Sequence, residues 1–284
     1  MQQPKLIECP RDAMQGWKHF IPAKKKAEYI NQLLKVGFDT IDFGSFVSAK
    51  TIPQMADTKE VIVQLNTENS PSKLLAIIAN VRGAEEATDF KNIFYLGFPF
   101  SVSPTFQIRN TNSTIEESMV TVKEIKRICD ENEKELVVYI SMAFGNPYSD
   151  EYNESIVLDW IEKLVGEGVH IISLADTVGL AHPSQIASLV KKVISKFPQI
   201  ETGVHLHSTN IHWKQKVDAA LQNGCLRFDG ALKGIGGCPM AEDELVGNMD
   251  SELMIPYFEQ LDLVKNINHE ALKKAGEMAS KIFI

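Results

Sequence analysis

The sequence has 284 residues, of which 44% are hydrophobic and 23% are charged, and its formal net charge is -8. This composition is typical of a soluble globular protein, and the acidic balance excludes the basic surface that sequence-independent nucleic acid binding requires. The chain contains no run of 18 uncharged apolar residues, which excludes a membrane-spanning helix. Neither nucleic acid nor a membrane is therefore expected among its partners.

A cytoplasmic location is expected from the start of the chain and from its cysteines. The first strand-like segment begins within about five residues of the N-terminus, which leaves no room for a signal or transit peptide. Cys9, Cys129, Cys225 and Cys238 are scattered without CxxC pairing, as is typical of reduced thiols in an intracellular protein. The densest basic run, Lys24–Lys26, is interpreted as the exposed face of a helix.

Short apolar, β-branched segments alternate with longer amphipathic stretches along the chain. The predicted strands are KLIEC (5–9), DTIDFG (39–44), LLAIIAN (74–80), NIFYLGF (92–98), LVVYISMA (136–143), HIISLAD (170–176), TGVHLHS (202–208) and RFDGAL (227–232). The clearest predicted helices cover 23–37, 113–134 and 155–168. The second of these opens with STIEE, which is typical of a helix N-cap followed by acidic residues.

This alternation predicts the fold. Strands separated by helices pair in parallel, because parallel strands need long crossover connections. Eight such units in a chain of this length predict an α/β fold, a single-domain (β/α)8 TIM barrel. An open doubly wound sheet is the alternative, but no GxGxxG motif or phosphate-binding loop follows an early strand. Residues 1–284 are expected to form one catalytic barrel domain with a C-terminal helical extension.

Polar residues collect where the predicted strands end, which is where TIM barrels place their active sites. Strand one supplies Glu8, Arg11 and Asp12, strand two Asp42, strand six Asp176, strand seven His205 and His207, and the segment after strand eight Cys238 and Asn248. Any single carboxylate among them could merely cap the next helix. Their convergence on one end of a barrel indicates a functional site.

The two histidines of strand seven are the most informative pair. Side chains two apart on a strand point to the same face, so His205 and His207 could both bind one metal ion. The same spacing would arise if one histidine packed in the core and the other faced a loop. The spacing alone therefore leaves both interpretations open.

Six segments in this order resemble those of the 3-hydroxy-3-methylglutaryl-CoA lyases, a family of the metal-dependent TIM-barrel lyase superfamily. They are PRDAMQ, SFVSAKTIPQM, NSTIEES, SLADTVG, VHLHS and GIGGCPMAEDELVGN, and the similarity extends over residues 4–265. The arginine-aspartate pair and the HxH motif are shared with synthases of the superfamily, such as isopropylmalate synthase. SFVSxKxxPQM and the GGCP loop point to the lyases.

The resemblance implies a metal site and a reaction. The ligands of the metal, Mg2+ or Mn2+, would be Asp12, His205, His207 and Asn248. The reaction would be retro-Claisen cleavage of 3-hydroxy-3-methylglutaryl-CoA to acetoacetate and acetyl-CoA. Since a bound metal acidifies the tertiary hydroxyl, His205 or Asp12 would suffice as the base. An acyl-CoA substrate and a homodimer are implied as well.

The remaining roles also follow from the resemblance. Arg11 would stabilise the enolate of acetyl-CoA, and Cys238 would protonate that enolate on carbon. Asp42 and Asp176 would orient Arg11 and the substrate hydroxyl or metal-bound groups. An ordinary salt bridge for Arg11 and a packing role for the cysteine are the structural alternatives.

Three features depart from the family pattern. Asp42 stands where these lyases usually have glutamate, so its shorter side chain is expected to need a water molecule or a shifted backbone to make its contact. Ser208 replaces the aspartate of an HxHD motif, and the loop from Cys238 to Asn248 is longer by one residue.

Two other functions stay open. One is a synthase that condenses acetyl-CoA with a 2-oxo acid, and the other is a non-catalytic barrel that binds metal or acyl-CoA. The chain is expected to end too soon after the barrel for the extra C-terminal domain of the larger synthases, and Cys238 has no obvious role in condensation. The complete ligand set argues against a non-catalytic barrel.

Overall fold

The structure, a computed structural model, describes residues 3–237 and 246–283. Eight parallel strands follow one another around a closed barrel. They are β1 (Lys5–Glu8), β2 (Thr40–Ser45), β3 (Lys73–Ile77), β4 (Ile93–Ser101), β5 (Glu135–Ser141), β6 (Ile171–Ala175), β7 (Glu201–His205) and β8 (Arg227–Gly230). Because β1 pairs with both β2 and β8, the sheet closes on itself. The predicted TIM barrel is confirmed, and the open sheet is excluded.

Helices occupy the connections between the strands and continue after the last one. They are α1 (Pro10–Gln15), α2 (Ala23–Leu33), α3 (Thr58–Ile62), α4 (Val81–Thr88), α5 (Pro104–Thr111), α6 (Ile115–Glu131), α7 (Glu154–Gly166), α8 (Pro183–Lys196), α9 (Trp213–Leu221), α10 (Ser251–Gln260) and α11 (His269–Ile282). Short 3-10 turns cover Pro53–Met55 and Leu232–Gly234. Within the described ranges, no helix combines the length and the hydropathy that a membrane crossing requires.

Helix α6 begins at the capping signal predicted from the sequence. The Thr114 hydroxyl accepts a hydrogen bond from the Glu117 N–H at 3.1 Å, and the Glu117 carboxylate accepts one from the Thr114 N–H at 2.8 Å. This reciprocal capping box satisfies two N–H groups that have no partner inside the helix, and such a cap typically stabilises a helix by about 1 kcal/mol.

The interpretation of Lys24–Lys26 as an exposed face is wrong for Lys26. Its side chain is buried, and its Nζ donates to the Gln54 carbonyl oxygen and, at 2.5 Å, to the Asp57 carboxylate. Helical periodicity explains the error, because Lys26 lies one turn before the buried Ile30 and on the same face of α2. A run of three charges does not reveal that one member faces the core.

The strands separate two apolar regions. The larger region lies between the outer faces of the strands and the helices. The smaller one lies inside the barrel and consists of Leu75, Ile77, Tyr95, Val137, Tyr139 and Ile171. The barrel is thus a packed core rather than a pore, and its mouth is the surface on which a site can form.

A buried arginine completes the barrel interior. Arg227 of β8 is fully buried, and its Nη1 donates to the Glu201 carboxylate at 3.1 Å, which also accepts from Lys5. The guanidinium carbon lies 5.4 Å from the ring centroid of Tyr95. The arginine side chain passes over Gly203, where an added Cβ would lie 2.9 Å from its Cδ. The space for this cation therefore depends on the absence of a side chain at position 203.

Candidate metal centre and active site

Strand β1 leads directly into α1, which brings Asp12 to the barrel mouth. The Oδ1 atom of Asp12 accepts hydrogen bonds from Arg11 at 3.0 Å and Gln15 at 2.8 Å, and Oδ2 accepts one from the Asn248 amide at 2.7 Å. Burial raises the pKa of Asp12, but Arg11 and the imidazoles of His205 and His207 outweigh it and lower the pKa to about 2. Asp12 is therefore an anionic carboxylate at neutral pH.

The Arg11 guanidinium is fixed by Asp42. Its Nε lies 3.0 and 3.2 Å from the two carboxylate oxygens, and Nη2 lies 2.5 Å from Oδ2. Burial raises the pKa of Asp42 to about 6 although Arg11 lowers it. Asp42 lies within β2 rather than at its end, and the strand shifts register between Asp42 and Gly44. The contact is direct, so the shorter carboxylate needs no bridging water.

The two histidines lie side by side, with ring centroids 5.1 Å apart. The Nδ1 atom of His207 is 3.0 Å from the Val246 carbonyl oxygen, and since a carbonyl can only accept, this nitrogen carries the proton. The Nδ1 atom of His205 is 3.0 Å from Asp229 Oδ2. These contacts leave the Nε2 lone pair of each ring available to a metal ion.

The electrostatics of the two rings differ. Burial, followed by the neighbouring His205, lowers the pKa of His207 and keeps that ring neutral. Burial also lowers the pKa of His205, but the Asp229 carboxylate outweighs it, and the pKa is raised overall. His205 is thus the better proton acceptor of the pair, and His207 is suited to ligation alone.

Asn248 contacts two of the other three predicted ligands, Asp12 and His207. Its Nδ2 donates to Asp12 Oδ2 and, at 2.9 Å, to the Ile235 carbonyl oxygen, which leaves the amide oxygen available for ligation. Its backbone forms an antiparallel bridge with His207. The structure therefore brings together Asp12, His205, His207 and Asn248, which come from three separate parts of the chain.

The residues fit a divalent cation. They offer one ionised carboxylate, two imidazole Nε2 atoms and an amide oxygen, each oriented by a hydrogen bond to a second group. Carboxylate and amide oxygens suit Mg2+, and imidazole nitrogens make Mn2+ an equally good match. The donor set supports a metal site without selecting the ion.

A second group of potential ligands lies beside this one. Atoms of Cys9, His205 and Asp229 lie within 4.8 Å of one another. Burial, with the nearby carboxylates Asp229, Asp42 and Asp12 as further causes, raises the pKa of the Cys9 thiol. A protonated thiol is a poor ligand, and Asp229 already engages His205. We therefore assign Asp229 to orienting the ring rather than to binding metal.

Asp176 follows β6 as predicted but does not contact Arg11. Its Oδ2 accepts from Lys216 at 2.8 Å, and its Oδ1 accepts from the backbone N–H of Ala181 at 2.9 Å. Lys216 Nζ also donates to the His207 carbonyl oxygen at 2.6 Å. Asp176 thus acts on the site through Lys216, which fixes the main chain at His207.

A pocket of about 180 Å³ opens above these residues. Arg11, Asp12, His205 and His207 form its polar wall. The rest of the lining is mostly apolar or uncharged: Gln15, Val47, Thr51, Ile52, Ile77, Ala79, Pro99, Phe106, Asn110, Thr111, Tyr139, Ser141, Ala175 and Thr177. Such a site suits a substrate with one polar reacting end and an uncharged body.

Sequence reasoning missed Asp229, Lys216 and Gln15. The sequence contained a signal for Asp229, because it is the one carboxylate in the predicted strand 227–232 and follows Arg227 by two residues. Both side chains are buried in the structure. Lys216 and Gln15 lie on amphipathic helices, where charged and polar residues are ordinary. Cys238, the predicted acid, lies outside the described residues.

Glu8 faces away from the pocket. Side chains two apart on a strand share a face, so Glu8 faces the helices together with Leu6, which belongs to the larger apolar region. There its two oxygens accept hydrogen bonds from the Leu232 N–H at 2.8 Å and the Ser251 hydroxyl at 2.5 Å. Burial raises the pKa of Glu8 from 4.5 to about 8, although both hydrogen bonds lower it.

The Glu8→Gln variant is expected to be less sensitive to pH than the parent. A carboxyl group whose pKa is raised on folding stabilises the fold fully below pH 4.5 and loses that contribution as the pH rises to about 8. The free energy of unfolding of the parent should therefore fall relative to the variant by up to about 1.4 kcal/mol per pH unit. Urea unfolding at pH 5, 6.5 and 8 measures this difference, and a constant difference would contradict the raised pKa.

Comparison with known proteins agrees with this fold. The family model described as HMGL-like matches residues 4–279. The hydroxymethylglutaryl-CoA lyase YngG of Bacillus subtilis is 31% identical over 98% of this chain and 93% of its own length. The (R)-citramalyl-CoA lyase of Chloroflexus aurantiacus is 30% identical over 96% of this chain and 88% of its own.

A solved structure is similarly close. The HMG-CoA lyase from Acinetobacter baumannii, in complex with coenzyme A and 3-methylmalate, superposes with a TM-score of 0.91. The two chains are 30% identical, and the match covers 99% of this chain and 91% of the other.

Proposed function

Because the chain belongs to the HMGL-like family, we propose that it is a hydroxymethylglutaryl-CoA lyase. It would cleave a carbon–carbon bond of 3-hydroxy-3-methylglutaryl-CoA and release acetoacetate and acetyl-CoA. The observation that carries this proposal is the convergence of Asp12, His205, His207 and Asn248 beside the fixed guanidinium of Arg11, at the mouth of one barrel. The whole chain is proposed to act as one catalytic domain.

The four converging residues are proposed to hold Mg2+ or Mn2+. When bound, the ion would supply Lewis-acid polarisation of the substrate oxygens. The protein contributes the orientation of each ligand, through Asp229 on His205, the Val246 carbonyl on His207 and Asn248 on Asp12.

Of the two groups considered as the base, the geometry favours His205. The pKa of Asp12 is lowered to about 2, so that carboxylate is a weak proton acceptor. Asp229 lies 3.0 Å from Nδ1 of His205 and would stabilise the imidazolium formed when Nε2 accepts the hydroxyl proton. A histidine that also binds metal can accept this proton only while its Nε2 lone pair is free.

Cleavage leaves negative charge on the thioester oxygen of an enolate. Arg11 is suited to stabilise that charge because Asp42 and Asp12 fix its position and raise its pKa, although burial lowers it. A preorganised cation of this kind needs no reorientation during the reaction. Cys238 is proposed to protonate the enolate carbon, as the resemblance implies.

The relatives support an acyl-CoA substrate, since one solved structure contains coenzyme A. (R)-Citramalyl-CoA is the second candidate, because a lyase named for it is as similar in identity as the hydroxymethylglutaryl-CoA lyases are. We also propose a cytoplasmic location and a homodimer, which rest on the sequence and on the resemblance.

Acetyl-CoA release from the two acyl-CoA substrates tests the proposal. The protein is first treated with a chelator and then assayed with Mg2+ or Mn2+. We expect metal-dependent release, fastest from 3-hydroxy-3-methylglutaryl-CoA. Faster release from (R)-citramalyl-CoA would show that this compound is the preferred substrate. Net condensation of acetyl-CoA with a 2-oxo acid would identify a synthase. Binding of acyl-CoA without turnover in either direction would indicate a non-catalytic barrel.

A further inference from the structure

One buried carboxylate contacts both ends of the segment that carries Asn248 and Cys238. Glu8 Oε1 accepts from the Leu232 N–H, where the chain leaves β8, and Oε2 accepts from the Ser251 hydroxyl, where the chain enters α10. Glu8 itself is fully buried. The segment Leu232–Ser251 is therefore attached to β1 at both of its ends. We call these ends, residues 232–235 and 248–251, the two stems.

Both stems lead to Asn248. From Leu232 the chain runs three residues to Ile235, whose carbonyl oxygen accepts from Asn248 Nδ2 at 2.9 Å. From Ser251 it runs three residues back to Asn248 itself. The backbone N–H of Ala231 fixes this second stem by donating to the Met249 carbonyl oxygen at 2.9 Å. Displacing either stem would move the amide of Asn248.

The contacts of Glu8 are hydrogen bonds rather than an ion pair. The charged groups closest to it are acidic, Asp250 and Glu252, and the Tyr29 phenol also faces it. The nearby cation, Lys233, pairs with Glu252 at 2.8 Å instead. Burying a carboxyl group without a cation is unfavourable unless its oxygens are hydrogen-bonded, as both oxygens of Glu8 are. The raised pKa of Glu8 agrees with burial beside acidic groups rather than beside a cation.

We propose that Glu8 is a positioning residue that fastens both stems of the segment Leu232–Ser251 to the barrel and thereby places Asn248 at the metal site. The proposal rests on the proposed function in one respect, the assignment of Asn248 as a metal ligand. It adds a residue on which metal binding depends and which lies outside the pocket, on the helix-facing side of β1.

Two variants of Glu8 separate its contacts from its charge. Glutamine has the shape of glutamate, with one oxygen that accepts and one NH2 group that donates. In Glu8→Gln the oxygen can accept from the Leu232 N–H and the NH2 group can donate to the Ser251 hydroxyl, so both hydrogen bonds are preserved. Glu8→Leu removes both. Hydrogen exchange of the peptide covering 246–251 measures the position of the stem, and binding of Mn2+ alone measures the consequence at the site. Leu164→Ala, a buried substitution on α7, controls for a general loss of stability.

We expect Glu8→Leu to speed exchange of this peptide and to weaken Mn2+ binding by about 10- to 100-fold, the usual cost of losing an outer-shell contact. Glu8→Gln should bind Mn2+ within about threefold of the parent, and Leu164→Ala should bind it as the parent does. If Glu8→Leu fails to fold, Ser251→Ala, which removes one stem contact, should give a smaller loss in the same direction.

Unchanged exchange and unchanged Mn2+ affinity in Glu8→Leu would overturn the proposal, as would a glutamine variant as weak as the leucine variant. A parent protein that binds no Mn2+ would instead refute the metal centre. In that case hydrogen exchange still decides whether Glu8 holds the stem.

Discussion

Replacing His207 by alanine is expected to abolish metal binding and acyl-CoA cleavage together while the barrel stays folded. His207 offers Nε2 to the site, and its Nδ1 is fixed by the Val246 carbonyl oxygen, so alanine removes both the ligand atom and the contact that orients it. The residue lies beyond the end of β7, at the barrel mouth, where it contributes little to the packing between strands and helices. Mn2+ binding, acetyl-CoA release and far-ultraviolet circular dichroism measure the three expectations.

His212→Ala is the matched control for this variant. His212 lies in the same connection between β7 and α9, but it is exposed and does not cap the helix with its side chain. Its removal should leave Mn2+ affinity and turnover unchanged. In the parent, chelation should remove activity, and added Mn2+ or Mg2+ should restore it. Full turnover after exhaustive chelation, or in the His207→Ala variant, would refute the metal assignment.

The Cys238→Ser variant is expected to bind metal and substrate nearly as well as the parent while its kcat falls by about 100- to 10,000-fold, the range typical of general acid catalysis. A serine hydroxyl is a far weaker acid than a thiol, and in the proposed reaction only protonation of the enolate uses this group. The described chain approaches the site just before Cys238: a Cβ added at Gly236 would lie 3.0 Å from the Asp12 carbonyl oxygen and 2.5 Å from Asn248 Nδ2.

Cys129→Ser provides the control for thiol chemistry. Cys129 is buried on α6, so its replacement removes a thiol without touching the site. Its kcat should equal that of the parent. Alkylation should inactivate the parent, and bound substrate should protect it. A serine variant at position 238 that turns over within about threefold of the parent would show that the enolate takes its proton from another donor.

The fold was predictable because it depends on local pattern, and the resemblance of short motifs to those of a known family supplied the predicted metal ligands. Eight strands alternating with helices leave few arrangements other than a barrel, and a barrel brings the ends of all its strands to one rim. Asp12 and Asn248 are far apart in the chain, yet they were predicted as ligands of one ion from the motifs around them. The hydrogen bond of 2.7 Å between their side chains is consistent with that prediction.

Contacts between distant polar residues were not predictable in the same way. Asp176 was expected, with Asp42, to orient Arg11 and the substrate hydroxyl or metal-bound groups. Its carboxylate accepts from Lys216, whose position on the inner face of α9 gives no signal in the sequence. Glu8 was grouped with Arg11 and Asp12 at the end of the first strand, where the active site was expected. Because side chains alternate along a strand, Glu8 instead faces the helices on the outer side of β1. In both cases tertiary packing fixes the partner. The pattern of a single sequence does not show which of its many polar groups will be in contact.

The close fit of Arg227 over Gly203 restricts the order in which these two positions can change during evolution. A side chain at 203 would place its Cβ 2.9 Å from Cδ and 3.1 Å from Cγ of the arginine, so enlargement there must follow a shortening at 227. The reverse order passes through an intermediate in which two side chains compete for one space inside a closed barrel. We therefore expect a side chain at position 203 only in relatives whose residue at position 227 is smaller than arginine.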